Sequence, residues 1–505
     1  MNTDTEQPWQ GAGDWCFHAL VIAFFVFSGY LAVWGARIPV AGGLGYDGQT
    51  YGWMAHDFEK ALQTKSVVGY TLKRCLPSLV VGSCLSMLGI PRGPLEIVRG
   101  FAVLNLVLLI ATVPIWHVIC RGIQLSMRQT QIGLACLLIN YGHLRDCYFY
   151  PVLTDVPAFF FSILSVAFWI RGQRSFLMAT TIMAMFTWPA AGILNACYLL
   201  FPFQNGFSDV NTPEQPNRLL TQIVKWIAVF GCVGATLCLA CIFHVQLPSE
   251  AGATPVNNTL LPLSVGLLSL YLVWIAHASG SPPHFWQAID VRGVGQLVAV
   301  LIVHAMGVAL LMRYASADPA FSGTNAVWLR IVTLSIEPVG LPAMFLLPHV
   351  VYWGPWHLAL LTSLPAVFTA ARPHAALYLG CGLYLAICLL SESRQGCYFL
   401  PPAILTLCLA LPRTVLSHLT GWEWALLCGL ASRFWLDFSL VGTAADWESR
   451  PAFPSQWYFM QHGPWMNETG YLVGVVQLVA VVGLVGAVII TRCRRIATQR
   501  SGAEA

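Results

Sequence analysis

Apolar runs of about 18 residues or more recur along the whole chain, and each can cross a bilayer as a helix. This one feature removes most folds. Inside hydrocarbon every backbone N–H and C=O must be satisfied internally, so only helices and closed barrels span. The runs are too long and continuous for the alternating strands of a barrel. Composition agrees, with 57% hydrophobic and 10% charged residues in 505, where soluble domains carry about 25% charged residues. The sequence predicts an all-α polytopic membrane protein.

About 14 transmembrane helices are expected, at 15–36, 100–120, 131–150, 152–170, 176–200, 223–244, 260–279, 293–312, 329–351, 355–371, 375–391, 398–412, 422–443 and 471–491. A fifteenth apolar stretch, 75–90, carries Pro77 and runs into "GIPRGP". Leaving it out of the membrane places the basic segments 120–128, 171–174, 371–374 and 492–500 on one side, as the preference of Lys and Arg for cytoplasmic loops requires. Residues 1–14 then form a cytoplasmic tail. They lack the basic start of a signal peptide, so the first run reads as a membrane helix. Residues 15–412 form a transmembrane domain with a large first extracytoplasmic loop, 37–99. Residues 413–491 add the C-terminal helices and an outer loop, 444–470, and 492–505 are a basic cytoplasmic tail. The first loop holds five basic residues before residue 75, against the charge rule, but loops of this length translocate largely regardless of charge. Within it, "QTYGWMAHDFEKALQ" has the mixed faces of an interfacial helix, with His56, Asp57 and Glu59 solvated. The outer side also receives 143–155, 201–222, 280–292 and 391–399.

The 16 cysteines are scattered through apolar runs without metal-ligand spacing and read as small hydrophobes. No basic run points to nucleic acid. His304, His349 and His357 read as packing residues, Arg433 and Asp437 as an i, i+4 pair on one helix face, and Glu337 as a costly intramembrane acid.

Chemistry gathers in three places on the outer side. "GYDGQTY" sets Asp47 between glycines just past the first helix, as a turn or as a working carboxylate, with Tyr46 and Tyr51 placed to anchor it at headgroup level. "HLRDCYFYPVLTDVP" carries Arg145, Asp146 and Asp155, the last reading either as a helix cap or as a site acid. "SESRQGCYFLPP" offers Glu392 and Arg394, either a surface pair or a phosphate-binding guanidinium with its orienting carboxylate.

The order and sidedness of "YDGQTY", "KRCLP", "TDVP" and "ESRQGCYFLPP" resemble the GT-C glycosyltransferases, polytopic enzymes that use lipid-linked sugars, and most of all their bacterial mannosyltransferase-like members. The resemblance covers residues 15–200 and, more loosely, 390–412. It implies a hexosyltransferase of the bacterial inner membrane, moving a sugar from a polyprenyl-phosphate donor to an acceptor that the residues do not specify. Asp47 would be the base, with Asp155 and Asp146 orienting the acceptor or holding a divalent cation, Mg or Mn. Tyr46, Tyr51, Arg145, Glu392 and Arg394 would contact substrate. Membrane lipid is the other partner. Two departures stand out: Trp188 occupies a position where many bacterial relatives carry Arg, and the tyrosine expected after the late Arg is displaced to Tyr398. A transporter or flippase of an amphipathic substrate, and a non-catalytic relative with the same fold, remain alternatives. The transporter is expected to show internal repeats and a midplane site, and neither is visible in the sequence.

Overall fold

A computed structural model describes residues 9–63, 69–204, 260–314, 341–389, 392–414, 417, 419–433 and 468–503. The described residues are helical, without strands. Four stretches are long and apolar enough to cross a membrane: Asp14–Trp34, Pro94–Gly122, Val291–Arg313 and Gly470–Ala487. Their outward faces carry exposed large hydrophobics, among them Ile22, Val26, Val103, Val107, Ile302, Met306, Val476 and Val479. Such surface suits lipid.

In chain order the principal helices are α1 (Trp9–Trp34), α2 (Asp47–His56), α3 (Phe58–Gln63), α4 (Leu76–Met87), α5 (Pro94–Gly122), α6 (Met127–Leu138), α7 (Asp155–Ile170), α8 (Arg174–Met185) and α9 (Ala191–Leu200). They continue as α10 (Leu261–Ala278), α11 (Val291–Tyr314), α12 (Leu347–Trp353), α13 (Trp356–Thr362), α14 (Leu364–Ala371), α15 (Ala375–Ile387), α16 (Leu400–Ala410), α17 (Gly421–Ala431) and α18 (Glu468–Ala503). At 12 residues α4 rises about 18 Å, short of the roughly 30 Å hydrocarbon core. It packs on α2 and α5 instead of standing alone. The expected loop boundary at residue 99 moves back, because Pro94 opens α5 behind Gly93, the position proline favours.

Several runs that look continuous in hydropathy are broken. The run 131–150 breaks after Leu138, and 139–154 is a connection containing a π-turn at Gly142–Asp146 and a short helical turn at Cys147–Phe149. The run 176–200 is not one span but a hairpin of α8 and α9. Asp290 settles this: its carboxylate pairs with Arg174 at the start of α8, and its N–H donates to the Leu200 carbonyl at the end of α9, 2.9 Å away. Both ends of the hairpin therefore meet. Its tip lies at the other end of the bundle, where the Phe186 carbonyl accepts from the Leu76 N–H at 3.2 Å. "FTWPAAG" supplies the bend, since Pro189 cannot continue α8.

The hairpin reverses part of the expected sidedness. Trp169 Nε1 donates to the Phe201 carbonyl at 2.8 Å, and His374 stacks on Phe203 at 4.7 Å. The start of the 201–222 loop thus lies beside 171–174 and 371–374. The Tyr378 hydroxyl donates to the Ser279 carbonyl at 3.0 Å, which brings the 280–292 segment to the same end. Gly122 packs against Ile170, and Arg128 Nε donates to the Leu419 carbonyl at 2.6 Å, joining 120–128 to this end too. The basic segments 120–128, 171–174 and 371–374 collect here, with Arg292 added. Capping boxes start α6 (Ser126 with Gln129) and α17 (Thr420 with Glu423) at this same level.

Arg433 follows the end of α17 in the left-handed region (φ +52°), so α17 does not continue through it. Its guanidinium lies 5.8 Å from the Tyr141 ring. Asp437 and Glu337 lie outside the described residues. His349 and His357 are buried, bonded to the Cys388 carbonyl (2.8 Å) and the Tyr384 hydroxyl (2.9 Å), as packing residues are.

Candidate functional site

Three sequence-distant segments meet at the end opposite the basic loops. The first loop docks on the 139–154 connection through its backbone. Arg37 closes α1 by donating to the Leu31 (2.8 Å) and Ala32 (2.5 Å) carbonyls, and it also reaches the Tyr148 carbonyl at 2.8 Å. The Ile38 N–H donates to the Phe149 carbonyl at 2.9 Å. Tyr150 then lies directly on the glycines around Asp47. The Gly48 N–H donates to its hydroxyl at 3.1 Å, and a Cβ at Gly48 would sit 3.0 Å from the ring. Gly45 is at φ +71°, and a Cβ there would collide with the same ring. The glycines of "GYDGQTY" thus let Tyr150 reach the chain, and Asp47 between them opens α2 in its first turn, half-buried.

Asp146 and Asp155 line one small cavity, of about 10 Å³, together with Asn105, His143, Tyr150, Tyr352 and Trp353. Asp47 does not line it but neighbours it through Tyr150. The Tyr352 hydroxyl donates to Asp146 Oδ2 at 2.8 Å. Asn105 Nδ2 holds the connection in place through the Cys147 and Pro151 carbonyls, both at 3.0 Å. Burial pushes the Asp146 carboxyl up to about 6; the Tyr352 hydrogen bond and the Arg394 charge pull the other way. Asp155 is the first residue of α7, with Thr154 before it making no side-chain cap. The cap reading of Asp155 therefore fails; it is a buried acid at a helix N-terminus.

Arg394 is the hub. It sits on a short 3₁₀ turn, Ser393–Gly396, held by Trp353 Nε1 donating to the Ser393 carbonyl at 2.9 Å. Its Nε donates to Glu392 Oε1 at 2.6 Å, and Gln395 Nε2 donates to Glu392 Oε2 at 3.0 Å. Both partners are buried, Glu392 at 2% exposed and Arg394 at 9%, so this is not a surface pair. Burial would make the guanidinium easier to deprotonate, but the charges of Glu392, Asp155 and Asp47 outweigh it and raise its pKa. Asp146 feels Arg394 as well. Glu392 thus pairs with Arg394 directly, and Asp47, Asp146 and Asp155, from two other segments, are near enough to feel its charge.

The sequence reading missed Arg74. It lies in "KRCLP", and its guanidinium stacks 4.2 Å over the Trp188 ring at the hairpin tip. Its charge reaches Asp155 and the Tyr51 hydroxyl. The position where the resemblance expects Arg thus carries the platform for an Arg from elsewhere. Tyr51 is 1% exposed, packed with Leu44, Met54, Leu72 and Val81 in the loop's own small core, and so is no headgroup anchor. Tyr46 flanks α2 half-buried, and Arg145 is half-buried on the π-turn with its charge acting on Tyr141. The displaced Tyr398 is a core residue, its hydroxyl donating to Asn195 Oδ1 at 2.9 Å. His56 and Glu59 are exposed and Asp57 half-buried, away from the cavity.

Among the described residues no three His, Cys, Asp or Glu side chains come together as metal ligands. Of the candidate carboxylates, Glu392 is paired with the Arg394 guanidinium and Asp146 with the Tyr352 hydroxyl. Comparison of the chain with family models, with curated proteins and with solved structures finds no match in any of the three.

Proposed function

We propose that the chain is a membrane glycosyltransferase that moves a sugar from a polyprenyl-phosphate donor to an acceptor hydroxyl at the Arg394 end of the bundle. The buried Glu392–Arg394 pair, with Asp47, Asp146 and Asp155 near enough to feel its charge, carries this reading. Acid–base and phosphate-directed groups rarely gather in a membrane protein without a task. With the basic segments cytoplasmic, the site faces the outer side, and the bacterial inner membrane is the setting the resemblance favours.

The Asp47 carboxylate takes the proton of the acceptor hydroxyl as its oxygen bonds to the anomeric carbon. The bond from that carbon to the phosphate oxygen breaks, and its electron pair leaves with the polyprenyl phosphate. The leaving group gains negative charge as it departs, so it needs a preplaced cation more than an acid. Arg394 meets that need through the guanidinium nitrogens that Glu392 leaves open, seconded by Arg74 on Trp188. Asp155 and Asp146 orient the acceptor, and holding both partners in line supplies much of the rate.

The experiment is sugar transfer from a polyprenyl-phosphate donor in membranes. Asp47→Asn should lower transfer by about 10²-fold or more, the scale of acid–base contributions, with unchanged protein in the membrane. Asp57→Asn should transfer normally. Near wild-type transfer by Asp47→Asn would remove the assignment, and loss of the protein from the membrane would reduce Asp47 to a turn residue.

A further inference from the structure

A second cavity, of about 110 Å³, opens at the opposite end, at the base of the α8–α9 hairpin. Phe168, Trp169, Tyr198 and Phe203 line it together with Arg174 and Gln296. Three observations give it a ligand chemistry. The Tyr198 hydroxyl belongs to a residue 1% exposed and has no hydrogen-bond partner among the described residues. A polar group left so in a cavity wall marks a missing partner. At the mouth Arg174 pairs with Asp290, whose carboxylate also accepts from the Arg292 N–H, and Arg171 and Arg372 lie one and two residues from Gly172 of the wall and from His374, which stacks on Phe203. The same level also bears exposed aromatics: Phe176, stacked on Phe168 at 5.3 Å, and Trp286, 89% exposed. Aromatic and arginine side chains at the end of apolar helices mark the headgroup level of a bilayer.

We propose that this cavity binds the headgroup region of an anionic phospholipid. The phosphate lies against Arg174, with the neighbouring guanidiniums supplying the field. A headgroup oxygen accepts from the Tyr198 hydroxyl, and the first carbons of a chain rest on Trp169 and Phe203. The volume decides the fit: an apolar cavity of about 150 Å³ holds a benzene-sized group, so this one takes the glycerol region and not a whole chain. Basic pockets between membrane helices are suited to such headgroups. The site is independent of the proposed transfer chemistry at the other end.

The test is thermal unfolding of the full chain in detergent with added phosphatidylglycerol, phosphatidylcholine or inorganic phosphate. Native mass spectrometry counts the retained lipid. Phosphatidylglycerol should give a saturable rise in Tm that phosphatidylcholine and phosphate do not give. Tyr198→Phe should unfold no earlier than wild type without lipid, because its hydroxyl has no partner to lose. Its half-saturating lipid concentration should nevertheless rise about tenfold, and that of Arg174→Gln at least as much. Equal effects of the two lipids would overturn the proposal. So would a phosphate effect matching the lipid's, which would name a small anion instead, or wild-type lipid response in both variants.

Discussion

Gly45→Ala tests whether the first loop is shaped by Tyr150. Two costs add at this position. An L-residue at φ +71° is strained by about 1–2 kcal/mol. The new methyl also meets the Tyr150 ring, a rigid group whose other face lines the Asp146 cavity, and overpacking of this kind costs about 1–3 kcal/mol. The expected total is therefore about 2–5 kcal/mol. Two controls separate the contributions. Gly42 (φ +65°) has only Pro94 Cβ near its Cβ position, at 3.8 Å, and Gly89 (φ +66°) has nothing within 4 Å. Alanine at either should cost only the backbone strain. In a Tyr150→Ala background the Gly45→Ala cost should fall to that same value, giving a coupling energy equal to the clash. Denaturant unfolding in detergent reads all of these. A Gly45→Ala variant no less stable than Gly89→Ala, or an unchanged cost without Tyr150, would refute the docking.

Asp146→Asn keeps an acceptor for the Tyr352 hydroxyl and removes a charge that burial disfavours. The folded carboxyl titrates near 6 against an unfolded value of 3.8, so the folded state holds more protons and wild-type stability falls as pH rises from about 4 to about 6. The Asn variant should lose that slope and be more stable at pH 7 by about 1–3 kcal/mol; melts between pH 4 and 7 check this. Arg394→Lys keeps charge but not the fork, so donor affinity should drop roughly tenfold or more in a binding assay with a polyprenyl-phosphate analogue. Cysteines placed at 175 and 203 should label from the same side of the membrane, and labelling from opposite sides would restore a single span in place of the hairpin.

Hydropathy made the helical membrane class plain, because a run of apolar residues has few other solutions. It could not separate one span of 25 residues from two antiparallel helices, since Pro189 interrupts the run without adding charge. The meeting of the Asp47, Asp146–Asp155 and Glu392–Arg394 segments followed from sidedness, and their order along the chain places them at one end. Whether Arg394 was surface or buried was not legible, because burial here is set by Trp353 and the 3₁₀ turn, not by local composition. Arg74 escaped notice because its partner Trp188 lies far along the chain and carries no charge to pair with. The role of Tyr51 was misread for a related reason: an aromatic in a polar loop looks interfacial until the loop proves to have a core of its own.

The hydrogen bond from Gly48 to Tyr150 joins residues 102 positions apart. A ribosome adding about 5–20 residues per second makes the glycines roughly 5–20 s before it makes the ring that covers them. Through that interval the loop bearing Asp47 has neither its hydrogen-bond partner nor its roof, and the Arg37 and Ile38 contacts to Tyr148 and Phe149 are missing too. Until then α2 and α4 have only the small core they share with the start of α5, which Val152 later completes. The carboxylate at the head of α2 is thus covered by a segment translated long after it, Arg394 follows later still, and the order of synthesis keeps the site unassembled until the bundle around it exists.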